Sequence, residues 1–86
     1  MDYQIDHNPE RNLFTTEVDG RTAFVQYAIH NGCLDVLHTI VPGPIEGRGI
    51  ASALCQAAYD YAKENNLTPQ ATCSYAVAWL KRHSVS

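Results

Sequence analysis

Apolar and polar residues alternate through the first half of the chain, and the period changes in the second half. Leu13 to Val18, Thr22 to His30 and Cys33 to Val41 read as strands separated by Asp19-Gly20 and Asn31-Gly32. Both dipeptides tolerate positive φ, as tight hairpins require. Asn8-Pro9-Glu10 marks an earlier turn, so Tyr3 to His7 is expected as a short first strand paired with Leu13 to Val18. The result is an antiparallel meander of four strands. Along the fourth, Leu34, Val36, His38 and Ile40 are expected on one face, with Asp35, Leu37, Thr39 and Val41 on the other. Pro42 and Pro44 then remove backbone donors and end the ladder.

From Gly49 to Asn65 the spacing becomes helical. Ile50, Ala51, Leu54, Cys55, Ala58, Tyr61 and Ala62 recur every three or four residues, leaving Gln56, Asp60, Lys63 and Glu64 to solvent. Leu67 to Thr72 suits a fifth strand, with Pro69 near its start. A second helix beginning at Cys73 or Ser74 would carry Ala76, Val77, Trp79 and Leu80 inward. Lys81, Arg82 and His83 suit its partially negative C-terminal end. The fold class is therefore α/β, a mixed sheet in the order ββββαβα. Its meander is followed by a βαβ unit, whose right-handed crossover makes the fifth strand parallel to the fourth.

With 86 residues, one domain spanning 1–86 is expected, near the lower size limit for a core without staples. Apolar residues form 45% of the chain and are spread along it, which excludes disorder. No apolar run approaches the roughly 20 residues of a membrane helix. The first residues lack the basic and apolar segments of a secretory signal, so a cytoplasmic location is expected. The net charge of -3, with scattered Lys and Arg, offers no footprint for nucleic acid or anionic membrane, and neither partner is expected.

Cys33, Cys55 and Cys73 are an odd number without CxxC spacing, which fits free thiols in a reducing compartment. His30, Cys33 and His38 approach a metal-ligand set in number only, because strand alternation does not converge them; no metal is expected. His7 and His83 read as surface residues, and Cys55 as packing on the helix.

Gly47-Arg48-Gly49 lies where a strand hands over to a helix. Unpaired N–H groups and the positive end of the helix dipole favour an anion there, and glycine lets a pyrophosphate approach the backbone. A Walker loop is excluded because Gly-Lys-Ser/Thr is absent. A Rossmann fingerprint is only partial, and Thr72-Cys73 stands where its ribose-binding carboxylate would follow.

Glu46-Gly47-Arg48-Gly49-Ile50-Ala51 resembles the Arg/Gln-x-x-Gly-x-Gly/Ala turn of the GNAT N-acetyltransferase superfamily, with Glu46 at the leading position. His38-Thr39-Ile40-Val41-Pro42 is similar to the His-Thr-Glu-Val-Pro of its short single-domain subfamily, with Ile40 in place of Glu. Pro69-Gln70-Ala71-Thr72-Cys73-Ser74-Tyr75 resembles that subfamily's Pro-x-Cys-Ser/Pro-Tyr/Phe segment, and Arg82-His83 its C-terminal Arg-His.

The resemblance implies a GNAT-like fold that binds acetyl-CoA, with the pantetheine arm in a cleft splayed between the fourth and fifth strands. It implies cofactor contacts at Val41, Glu46, Gly47, Arg48, Gly49, Ile50, Ala51, Ser74 and Tyr75. The acyl group would point toward His38 and Cys73, the candidate catalytic residues. The acceptor is expected to be the amine of a small molecule or of a protein. The alternative is a non-catalytic CoA-binding or partner-regulating module.

Read from the residues, Cys73 has two roles open to it. At the start of a helix the dipole lowers a thiol pKa, and a thiolate can carry an acetyl group; otherwise Cys73 is a small buried residue lining the cleft. His38 is either a core histidine or a base near the thioester. Arg48 pairs with phosphate or extends into solvent. Tyr75 bonds the cofactor or caps the core.

Overall fold

The computed structural model describes residues 3–83. Strands β1 (Asp6–Asn8), β2 (Leu13–Val18), β3 (Arg21–His30) and β4 (Cys33–Ile40) are followed by a 3-10 turn (Gly43–Ile45). Helix α1 (Ile50–Glu64), strand β5 (Thr68–Ala71) and helix α2 (Ser74–His83) complete the order. The strands lie side by side in sequence order, β1 to β4 antiparallel and β5 parallel to β4. This is the mixed ββββαβα sheet that the hydrophobic pattern predicts. Asn31 and Gly32 both take positive φ at the β3–β4 turn, so the hairpin closes in two residues.

One face of the sheet supplies Phe14, Ala23, Val25, Tyr27, Leu34 and Val36 to the core. Ile50, Leu54, Cys55, Ala58, Tyr59 and Ala62 of α1 pack on it, with Ala76 and Trp79 of α2 alongside. The β-branched and aromatic residues of the strands present that face at every second position, and the helix returns its own stripe at every third or fourth. Trp79 is fully buried, its ring stacked 5.5 Å from that of Tyr59 and its Nε1–H donating to Ser52 Oγ at 2.9 Å.

Two expectations are corrected on the helix-packed side, at Val77 and His7, and two contacts are added, at Tyr59 and His83. Val77 is exposed at 37%, because α2 docks through Ala76, Trp79 and Leu80, and one residue on from Ala76 the helix has turned about 100°. Tyr59, not foreseen in the core, is buried and donates its hydroxyl to the Gln70 carbonyl at 2.6 Å, tying α1 to β5. His7 is no surface residue: it stacks on Phe14 at 4.1 Å, meets Tyr61 edge-on at 4.5 Å and shares a 2.6 Å hydrogen bond with the Tyr27 hydroxyl. His83, although exposed, stacks on Trp79 with ring centroids 4.0 Å apart.

The most consequential correction concerns β4. Gln26 pairs with His38 but Tyr27 pairs with Val36, leaving Leu37 as an extra residue. A bulge of this kind reverses the facing of everything after it. Thr39, opposite the buried Val25, joins the helix-packed face with Leu34 and Val36, while His38 and Ile40 turn to the open face. His38 therefore does not share a face with Val36, and it is exposed.

Candidate active-site cleft

Strands β4 and β5 are paired only from Cys33–Thr68 to Val36–Ala71. The Val36 carbonyl then accepts from both the Thr72 and Cys73 N–H groups, at 3.0 and 3.1 Å, and the chain turns off into α2. Beyond this vertex β4 runs on through His38, Thr39 and Ile40, still paired with β3 but with no strand on its other edge. Pro69 does not disturb the short ladder, because it sits at the second position of an edge strand.

The gap is a cleft of about 570 Å³, within the roughly 300–1,000 Å³ usual for small-ligand sites. Thr39, Ile40, Val41, Glu46, Gly47, Gly49, Ile50, Ala51 and Tyr75 line it. Seven of the nine residues expected to meet a cofactor are thus brought to one place, and Arg48 and Ser74 are not part of the lining. Thr39 and Ile40 are lining residues that the sequence reading did not assign. The only sequence signal for them was the His38-to-Val41 segment, whose facing depends on the bulge.

At one end of the cleft, Gly47 and Gly49 hold φ of 80° and 75°. Only glycine adopts this conformation at little cost. Gly49 is the N-cap of α1 and supplies no side-chain acceptor, while its carbonyl takes the first helical bond from Ala53 N–H at 3.0 Å. The first N–H groups of α1 are left for another partner. A Cβ added at either glycine would meet no protein atom within 4 Å, so the backbone borders open space. These features fit an anionic diphosphate.

Two charged side chains qualify that fit. Glu46 lines the cleft and is exposed. The Arg48 guanidinium is turned to the β2–β3 hairpin, donating to Asp19 Oδ2 at 2.7 Å, and is neither over the cleft nor free in solvent. The Tyr3 hydroxyl donates to the Arg48 carbonyl and so anchors the turn's backbone to the first residues described.

At the inner end the cleft reaches Cys73 through Thr39, whose Oγ1 lies 3.6 Å from Cys73 Sγ and 4.0 Å from Cys55 Sγ. Burial would push the Cys73 thiol up, but the Ala76 and Tyr75 N–H groups of α2 and hydrogen bonds from Thr39 outweigh it and hold the pKa below the ordinary value. Burial dominates at Cys55, whose thiol is pushed up to about 11. On the open face, Thr72 Oγ1 donates to the Asp35 carboxylate at 2.9 Å, with His30 Nε2 3.9 Å from the same oxygen. The vertex is therefore stitched on both faces, by Thr72–Asp35 on one and Cys73–Thr39 on the other. Among the described residues no three His, Cys, Asp or Glu side chains gather to hold a metal ion.

The GCN5-related N-acetyltransferase family model matches residues 1–85. The chain belongs to that family. Protein NATD1 of Gallus gallus is 32% identical over 83 residues, covering 93% of this chain and 76% of the relative. Protein NATD1 of Homo sapiens is 31% identical, covering 93% and 74%. The solution structure of a GCN5-like protein from Staphylococcus aureus superposes with a TM-score of 0.75 at 28% identity, covering 95% of this chain and 81% of that one. The splayed β4–β5 pair and glycine turn described above are thus set in a GCN5-related N-acetyltransferase fold. Among the described residues, no helix is long and apolar enough to cross a membrane.

Proposed function

We propose that this GCN5-related protein binds acetyl-CoA in the cleft and passes the acetyl group to an amine. One observation carries the reading: a single cleft joins an uncapped helix N-terminus to the neighbourhood of a thiol held below its ordinary pKa. When bound, acetyl-CoA supplies an activated acyl thioester. The backbone of Gly47 to Ala51 would hold its diphosphate through N–H groups and the α1 dipole. The unpartnered edge of β4 beyond Val36 offers main-chain groups to the extended pantetheine arm, as a missing strand would. Ile40 and Val41 give that arm an apolar wall, and Tyr75 closes the α2 side.

Two routes for the acyl group use different residues of this chain. In the first, the Cys73 thiolate would attack the thioester carbonyl and CoA would leave as its thiolate; the amine would then displace the Cys73 thiolate from the acetyl thioester and give up a proton. In the second, the amine is acylated directly and His38, on the open face of β4, takes its proton. The acceptor would approach from that face, because both helices cover the other. It is the amine of a small molecule or of a protein, and the compartment of action is the cytoplasm.

A non-catalytic CoA-binding or partner-regulating module is the second reading, and Ile40 favours it. With Ile40 in that position, the β4 wall of the cleft presents no carboxylate base.

Intact mass after incubation with acetyl-CoA, together with calorimetric titration of CoA, tests both readings. A covalent route adds one acetyl mass, absent in Cys73→Ala although CoA still binds. A direct route leaves no adduct, and His38→Gln lowers turnover on an amine panel far more than it lowers CoA affinity. CoA binding with no transfer to any amine in the panel selects the binding module. No heat of binding and no thermal stabilisation by CoA would overturn both.

A further inference from the structure

We propose that Thr39 is a positioning residue for Cys73: the β4 bulge turns its hydroxyl to the core face, where it donates to the Cys73 sulfur in the thiolate state with Cys55 as the donor behind it. The proposal rests on the reading of Cys73 as the reactive thiol of the cleft.

The geometry is a row of three side chains from three elements. Thr39 of β4 stands between Cys73, at the entry to α2, and Cys55 of α1, with Oγ1 3.6 Å from one sulfur and 4.0 Å from the other. A hydroxyl has one proton to donate and lone pairs to accept with, so it can serve both sulfurs only in a directed chain. Cys55 is fully buried on the apolar face of α1, and its raised pKa keeps it an S–H at neutral pH. When Cys73 is also protonated, its S–H points at Thr39 Oγ1 and the threonine proton is free to turn toward Cys55. When Cys73 ionises, the chain reverses: the Cys55 S–H donates to Oγ1, and the threonine O–H donates to the Cys73 sulfur. Only hydrogens rotate.

The bulge makes this row. With unbroken alternation Thr39 would share the open face with Asp35, across the sheet from Cys55. One extra residue at Leu37 converts a surface threonine into the link between cleft and thiol. The other titratable groups near Cys73 do not substitute for it. Tyr59 of α1 stays neutral because burial raises its pKa, its hydroxyl donates to the Gln70 carbonyl, and Asp35 is taken up by Thr72 on the open face. Tyr75 lines the cleft, and what it and Ala76 give the sulfur is backbone N–H, which no side-chain substitution removes.

Alkylation of the full chain by iodoacetamide, followed at the Cys73 peptide by mass spectrometry across a pH series, tests the proposal without CoA or an acceptor. Thr39→Val is expected to slow Cys73 alkylation at pH 7 about tenfold and to move its profile to higher pH, since a hydrogen bond to a charged group is lost. Thr39→Ser restores the hydroxyl and is expected to stay within about twofold of wild type. Cys55→Ala is expected to shift the profile in the same direction by less. Coincident profiles for wild type and Thr39→Val, or a serine variant as slow as the valine one, would overturn the role of Thr39, and an unchanged profile in Cys55→Ala would remove Cys55 from the chain. An intact Thr39 dependence with no acetyl adduct upholds this proposal and counts only against the covalent route.

Discussion

Arg48 Nη1 donates to Asp19 Oδ2 at 2.7 Å, which ties the cation of the glycine turn to the β2–β3 hairpin. Both side chains are about half exposed, so the pair contributes on the order of 0.2–1 kcal/mol. Its larger effect is on the cleft. Among the described residues, the charged residue lining the cleft is Glu46, and no lysine or arginine lines it. In the proposed reading, attraction for a diphosphate there would come from N–H groups and the helix dipole.

Glu46→Gln is accordingly expected to tighten CoA binding by about three- to tenfold at low ionic strength. The gain should shrink in high salt, because Glu46 is exposed and its charge is screened. Calorimetric titration of both proteins at two ionic strengths checks this, and an equal affinity at low salt would mean that the diphosphate does not sit beside Glu46.

Gly49→Val tests the turn itself. No protein atom lies within 4 Å of a Cβ there, so at that atom the cost is backbone strain at φ 75°, roughly 1–2 kcal/mol, and not a clash. The added side chain would still project into the space where an anion approaches the backbone. Wild type should gain about 2.7 kcal/mol from CoA at 100 times its Kd. The variant should fold in the cold, as followed by circular dichroism, yet show no thermal shift with CoA.

His7 gives stability a pH dependence. Burial against Phe14, Tyr27 and Tyr61 holds its pKa below the ordinary 6.5. In the window between the folded and unfolded values the unfolded chain binds more protons, so stability rises with pH there. The contribution is fully present above about 6.5 and is lost as pH falls from there through the folded value. Urea midpoints measured from neutral to mildly acidic pH should decline more in wild type than in His7→Phe, which keeps the ring and removes the titration. Parallel declines would assign the acid sensitivity to another group.

Trp79→Ala should be the most damaging of these changes, at about 3–5 kcal/mol, because a fully buried ring is removed from between α1 and α2. Trp79→Phe keeps an aromatic surface and loses the hydrogen bond to Ser52, a smaller cost of about 1–2 kcal/mol. Equilibrium urea unfolding of both should rank alanine below phenylalanine, and no difference between them would show that the site tolerates the cavity.

Local rules explain what could be read along the chain. Asn31-Gly32 specifies a hairpin through the φ preferences of two residues, and Ile50, Leu54, Cys55, Ala58 and Ala62 specify the buried side of α1 through their spacing alone. The glycine turn was legible for the same reason, since an αL glycine ahead of a helix is a local feature. What the pattern leaves open depends on partners distant in sequence. Leu37 becomes a bulge only because Gln26 and Tyr27, ten or more residues earlier, pair with His38 and Val36. That register sends Thr39 to Cys73 and His38 to the open face. His7 escaped notice as a half-buried, ring-packed residue because three aromatic rings from β2, β3 and α1 meet there only after folding. Arg48 looked available to a phosphate until the hairpin placed Asp19 beside it. Period and turn chemistry settled the elements, their order and the cleft's glycine end; strand register, which acts between segments and which no single segment encodes, decided which side chains face the thiol.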